Sequence, residues 1–80
     1  MDDILIRIDK DLMKFKESES KLEGVALTAK ETMIVNLAKM YASDSKSWMD
    51  KRDYYTSFSC ISYAHGLMDA VLIIHDKGEF

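Results

Sequence analysis

The sequence predicts an all-α protein, an antiparallel helical hairpin of two long helices plus an N-terminal helix, bundle-like with three helices in all. Three observations predict it. The 80 residues hold no proline and only three glycines, Gly24, Gly66 and Gly78, so long stretches run without a helix breaker. Within those stretches apolar residues recur every three or four positions, the spacing of one helix face. Capping residues stand where the stretches begin. Hydrophobic residues make up 48% and charged residues 31%, a globular composition, and the chain reads as a single helical domain over 1–80.

Helix 1 is expected over about 3–23, because Ile4, Ile8, Leu12 and Phe15 follow a spacing of four, four and three. Asp3 with Arg7, Arg7 with Asp11, and Glu17 with Lys21 stand one turn apart as charge pairs, each worth a few tenths of a kcal/mol. Gly24 is the expected stop. "TAKE" at 28–31 is a capping box, in which Thr28 covers a free amide and Glu31 reaches back to Thr28. Helix 2 is therefore expected over about 29–50. Asp53 can cap helix 3, expected over about 54–75 ahead of Gly78.

Projection at about 100° per residue places Tyr54, Phe58, Ile61, His65, Met68 and Leu72 on one stripe of helix 3. Cys60, Tyr63, Leu67, Ala70 and Ile74 fall on the opposite side, so this helix is apolar almost all round and is expected to be covered on more than one side. A narrow seam of small residues remains, Ser59, Ser62, Gly66 and Ala70. A mid-helix glycine costs about 1 kcal/mol relative to alanine, so a second helix or a ligand is expected to approach the backbone at Gly66. On helix 2 the same projection aligns Lys30, Met33, Ile34, Leu37, Met40, Tyr41, Asp44 and Trp48, read as the inward face, with Met33, Met40 and Met68 in the core.

With a turn near residue 52, Tyr41, Asp44, His65 and Asp69 point toward one space between helices 2 and 3, with Ser45, Ser62 and Gly66 beside them. Unpaired burial would cost kilocalories for each polar group, so hydrogen bonds are expected among them. Read structurally, such a network sets helix register. Read chemically, His65 oriented by Asp69 is the pattern of a general base, with Tyr41 as a donor. No activated nucleophile accompanies it, since Cys60 has no cation at helical spacing. His65, Asp69 and Asp44 supply three metal ligands at most, without the Glu-x-x-His pairs of a di-iron bundle, so no metal and no cofactor is expected. His75, beside Asp76, is read as exposed at the helix end. Trp48, Met49, Tyr54 and Tyr55 gather at the hairpin tip, a candidate partner patch unless helix 1 covers it.

"YASDSKSW" followed by "DYYTSFSCISYAHGLMDA" resembles the archaeal domain-of-unknown-function family numbered 357. The likeness rests on Tyr41, Asp44, Ser45, Asp53, Tyr54, Ser62, Tyr63, Ala64, Gly66, Asp69 and Ala70, and covers about 35 residues of the hairpin. Arg52 departs from it, standing where the family pattern has glycine before Asp-Tyr. The resemblance implies a small, mostly archaeal helical protein and no assigned chemistry.

Net charge is −3 and no basic cluster exceeds Lys51 with Arg52, so nucleic acid is not an expected partner. The longest apolar run, Ala70–Ile74, is far short of the roughly 20 residues that span a bilayer, and no membrane role is expected. A lone cysteine and no recognisable leader point to the cytoplasm. The expected function is an interaction or assembly module without catalytic activity, a homo-oligomer through helix 1 or helix 3, or one that binds an unknown protein partner. The alternative is small-molecule or metal binding, or an enzyme, at Tyr41, Asp44, His65 and Asp69.

Overall fold

Local signals set the ends of three helices in the computed structural model, which describes residues 3–78: α1 (Asp3–Lys21), α2 (Ala29–Asp50) and α3 (Tyr54–Ile74). Gly24 takes φ +75° just past α1. At the start of α2 the Thr28 hydroxyl accepts the Glu31 N–H at 3.1 Å, and the Glu31 carboxylate accepts the Thr28 N–H at 2.8 Å. This is the complete capping box. Asp53 caps α3 by accepting the Thr56 N–H at 3.1 Å and the Thr56 hydroxyl at 2.8 Å. Of the three expected charge pairs, Arg7–Asp11 closes, at 3.4 Å.

The turn between α2 and α3 is built on Arg52, which stands at φ +64°. The Arg52 N–H reaches the Met49 carbonyl at 3.0 Å and the Asp53 N–H reaches the Trp48 carbonyl at 3.0 Å, the two bonds of a Schellman ending. An arginine thus occupies the left-handed position that glycine takes at lower cost. Lys77 to Leu72 at 2.8 Å and Asp76 to Ile73 at 3.1 Å close α3 in the same way, with Asp76 at φ +54°.

α3 is the central helix, packed on α2 along one side and on α1 along another, while α1 and α2 barely touch. Ile8, Leu12 and Phe15 of α1 supply one wall of the core, as their spacing predicts. Ile61, Ala64, Met68, Val71 and Leu72 of α3 lie at its centre. The molecule measures 39 × 22 × 16 Å. Two helix layers at the usual spacing of about 8–10 Å fill the thinnest direction, so α1 covers one side of the hairpin and nothing among the described residues covers the other.

α2 corrects one expectation. Its buried residues are Glu31, Val35, Ala38, Ala42 and Ser45, a face rotated by about 150° from the row Met33, Leu37 and Met40. Met33 is 70% exposed and Met40 63%, whereas Met68 is fully buried. The line expected to face inward also carries Lys30 and Asp44, whose burial would cost far more than the methionines return. The small face leaves Lys30 and Asp44 in water and buries one charged group, Glu31, whose carboxylate is paired by the Thr28 N–H and His75, and Ala38, Ala42 and Ser45 let α2 approach α3 closely.

Candidate functional site

Ser45 and Ser57, both fully buried, are the polar pair that locks α2 to α3. The Ser45 hydroxyl donates to the Ser57 carbonyl at 2.8 Å, and the Ser57 hydroxyl donates to the Ser45 carbonyl at 2.6 Å. Both hydroxyls have partners, so the pair sets register without leaving a reactive group. At the other end of the interface the Glu31 carboxylate accepts from His75 Nε2 at 3.0 Å. His75 is thus half-buried and paired, not exposed as its position at the helix end suggests. The Thr28 N–H, opposed by burial and aided by His75, holds the Glu31 carboxyl below the ordinary glutamate range.

The residues expected to converge between helices 2 and 3 do not form one cluster. Tyr41 meets Tyr63 edge to face at 4.6 Å across the α2–α3 groove, but Asp44 and Ser62 are exposed. His65 turns the other way. Its Nε2 lies 2.6 Å from the Asp11 main-chain carbonyl of α1, and its ring stands edge-on to Phe15 at 5.9 Å. A carbonyl can only accept, so Nε2 carries a proton and donates it. The cause is angular: residues 63 and 65 lie about 200° apart on a helix, so Tyr63 at the α2 groove commits His65 to α1. Asp69 lies beside His65 in a shallow hollow walled by Lys14, Glu17 and Lys21 of α1. Gly66 faces solvent, and a Cβ placed on it meets nothing within 4 Å. The small-residue seam therefore makes no close approach among the described residues.

No three His, Cys, Asp or Glu side chains gather closely enough to hold a metal ion among the described residues. Burial, then the charges of Asp44 and Asp53, push the Cys60 thiol up, which leaves it protonated and a poor nucleophile. The hairpin tip divides. Met49 and Tyr54 pack on the core, while Trp48 lies partly open under the Lys51 ammonium, 4.8 Å from its ring, and Tyr55 is 80% exposed.

The most distinctive surface is one that periodicity alone would place inside. Met33, Ile34, Leu37 and Met40 line an open apolar hollow along α2 that ends at Lys30. Tyr41 continues the strip across to Tyr63, and helical periodicity sets Leu67 and Ile74 beside it on α3. Tyr63 is 49% exposed and Ile74 61%. The signal that could have found it was present: Lys30 and Asp44 share the line with Met33, Leu37 and Met40, and charged ends mark a solvent-facing row. α3 itself is long and apolar enough to cross a bilayer by length and composition, a weak indication that core helices also give. In this fold Ile61, Ala64, Met68, Val71 and Leu72 of α3 go to the core, while Tyr63 and Ile74 join the open strip and Ile73 faces solvent.

The family described as "Protein of unknown function (DUF357)" matches residues 8–75. The chain belongs to this family. The match runs from Ile8, the first core residue of α1, to His75, the partner of Glu31, and so takes in all three helices of this DUF357 protein, not the hairpin alone. No curated protein matches the chain.

Proposed function

We propose that this DUF357 protein is a self-assembly module with no chemistry of its own, and that the open strip on α2 is its contact surface. One observation carries the reading: Met33, Leu37 and Met40 stand 70%, 38% and 63% exposed in a single row, on the side of the hairpin that α1 leaves bare. A contiguous apolar row of this kind is uncommon on a monomer and costs solubility unless something covers it. The unpaired Cys60 fits a reducing cytoplasm as the place of action. The general-base alternative loses support, because His65 commits its Nε2 proton to a main-chain carbonyl and stands apart from Tyr41 and Asp44.

Sedimentation of the wild-type chain beside Leu37→Glu tests this. Leu37 lies outside the core, so the variant keeps its helical signal and unfolding transition. At about 0.1 mM, where micromolar self-association saturates, the wild type should sediment as more than one chain and the variant as a monomer. A wild type that stays monomeric there refutes the reading.

A further inference from the structure

We propose that the strip is occupied by a second copy of this chain, with α2 lying antiparallel on the partner's α2 about a twofold axis at Leu37. The inference rests on the assembly reading and adds its geometry. The row on α2 is symmetric in sequence about residue 37: Ile34 and Met40 are three positions away, Met33 and Tyr41 four, and Lys30 and Asp44 seven. In an antiparallel pair crossing at 37, residues equally far on either side meet across the axis. Leu37 meets its own copy, Ile34 meets the partner's Met40, and Met33 meets the partner's Tyr41.

The two ends decide the direction. Lys30 meets the partner's Asp44, and Asp44 meets the partner's Lys30, so a twofold contact closes both ion pairs at once. A parallel pair would set lysine on lysine and aspartate on aspartate. Lys30 and Asp44 are both exposed, and neither is in an ion pair within its own chain among the described residues. The two positions lie about 21 Å apart along the helix, so both pairs close only when the helices cross at the shallow angle of about 20° typical of bundles.

Area supports a second copy as the occupant. A stable interface takes about 800 Å² from each partner, roughly one-seventh of the 5440 Å² this chain exposes. Tyr63, Leu67 and Ile74 of α3 flank the α2 row and widen the contact it offers to a second copy, with Tyr63 49% and Ile74 61% exposed. The assembled core is then a four-helix layer of α2, α3 and their copies, with α1 outside on both faces. Gly66, turned away from the α2 groove beyond Tyr63, stays clear of the contact.

Charge exchange tests the arrangement. Lys30→Glu sets a carboxylate against the partner's Asp44, and Asp44→Lys sets an ammonium against the partner's Lys30. Each variant alone should self-associate about tenfold more weakly than wild type, a loss in keeping with two exposed pairs turned from attraction to repulsion. The double variant Lys30→Glu/Asp44→Lys should recover wild-type affinity, and an equimolar mixture of the two single variants should form heterodimers above the statistical share in native mass spectra. Single variants that associate as strongly as wild type overturn the antiparallel pairing while leaving assembly intact. A wild-type chain that does not associate overturns both.

Discussion

Replacing Gly66 by alanine should stabilise this protein, against the usual expectation for a mid-helix glycine flanked by small residues. Gly66 lies inside α3, is exposed, and has nothing within 4 Å of the position a Cβ would take. No steric cost therefore opposes the gain in helix propensity, about 0.8–1.0 kcal/mol. For a chain of this size that gain raises Tm by about 4–8 °C. Urea unfolding of both proteins at one chain concentration, so that association contributes equally, should show a higher midpoint with an unchanged slope. Sedimentation should be unaffected, because Gly66 stands clear of the α2 strip. A lower midpoint would refute the reasoning. It would mean that a partner helix or ligand lies against the α3 backbone, and that the small-residue seam is an occupied surface after all.

Arg52→Gly should also stabilise, by roughly 1 kcal/mol, since glycine takes the left-handed position of the turn without the steric cost arginine bears, less the entropy it adds to the unfolded chain. Thermal or urea unfolding reads it, and a neutral or destabilising result would show that the arginine side chain contributes more than its backbone costs. Acid gives a further prediction. Glu31 titrates below its ordinary value of 4.5, chiefly through the Thr28 N–H. A carboxyl depressed on folding contributes stability above its unfolded value, and that contribution is lost as pH falls through the folded one. Wild type should therefore lose stability more steeply than Glu31→Gln between about pH 5 and pH 3, and parallel curves would show that the carboxylate contributes nothing.

The helices and their limits were legible because what defines them is local. A Thr-x-x-Glu box, an aspartate at an N-cap and a four-four-three apolar spacing act within one or two turns, and each produced the structure it predicts. The Schellman turn at Arg52 was less legible, because glycine is the usual residue there and the chain accepts an arginine at a cost. The candidate site was legible only in part. Tyr41 faces α3 as its row on helix 2 predicts, and there it meets Tyr63. Periodicity puts His65 on helix 3 but not on its α1 side, since its direction depends on a carbonyl of α1 that lies 54 residues away in sequence.

By itself the sequence determined an all-α chain, three helices, their capped starts and the apolar face of α1, because these depend on backbone propensity and short-range periodicity. Tertiary structure decided the rotation of α2, and with it what is core and what is surface. That choice turned on Ser45 and Ser57, twelve residues apart, each donating to the other's carbonyl, and on leaving Lys30 and Asp44 in water. Periodicity offers two faces for α2, one large and apolar with unpaired charged ends, one small with serine at one end and, at the other, Glu31 already paired by the Thr28 N–H and His75. Counting hydrophobic area favours the first. Close backbone approach and the desolvation of two charges favour the second, and those are properties of a packed pair of helices that neither helix displays alone.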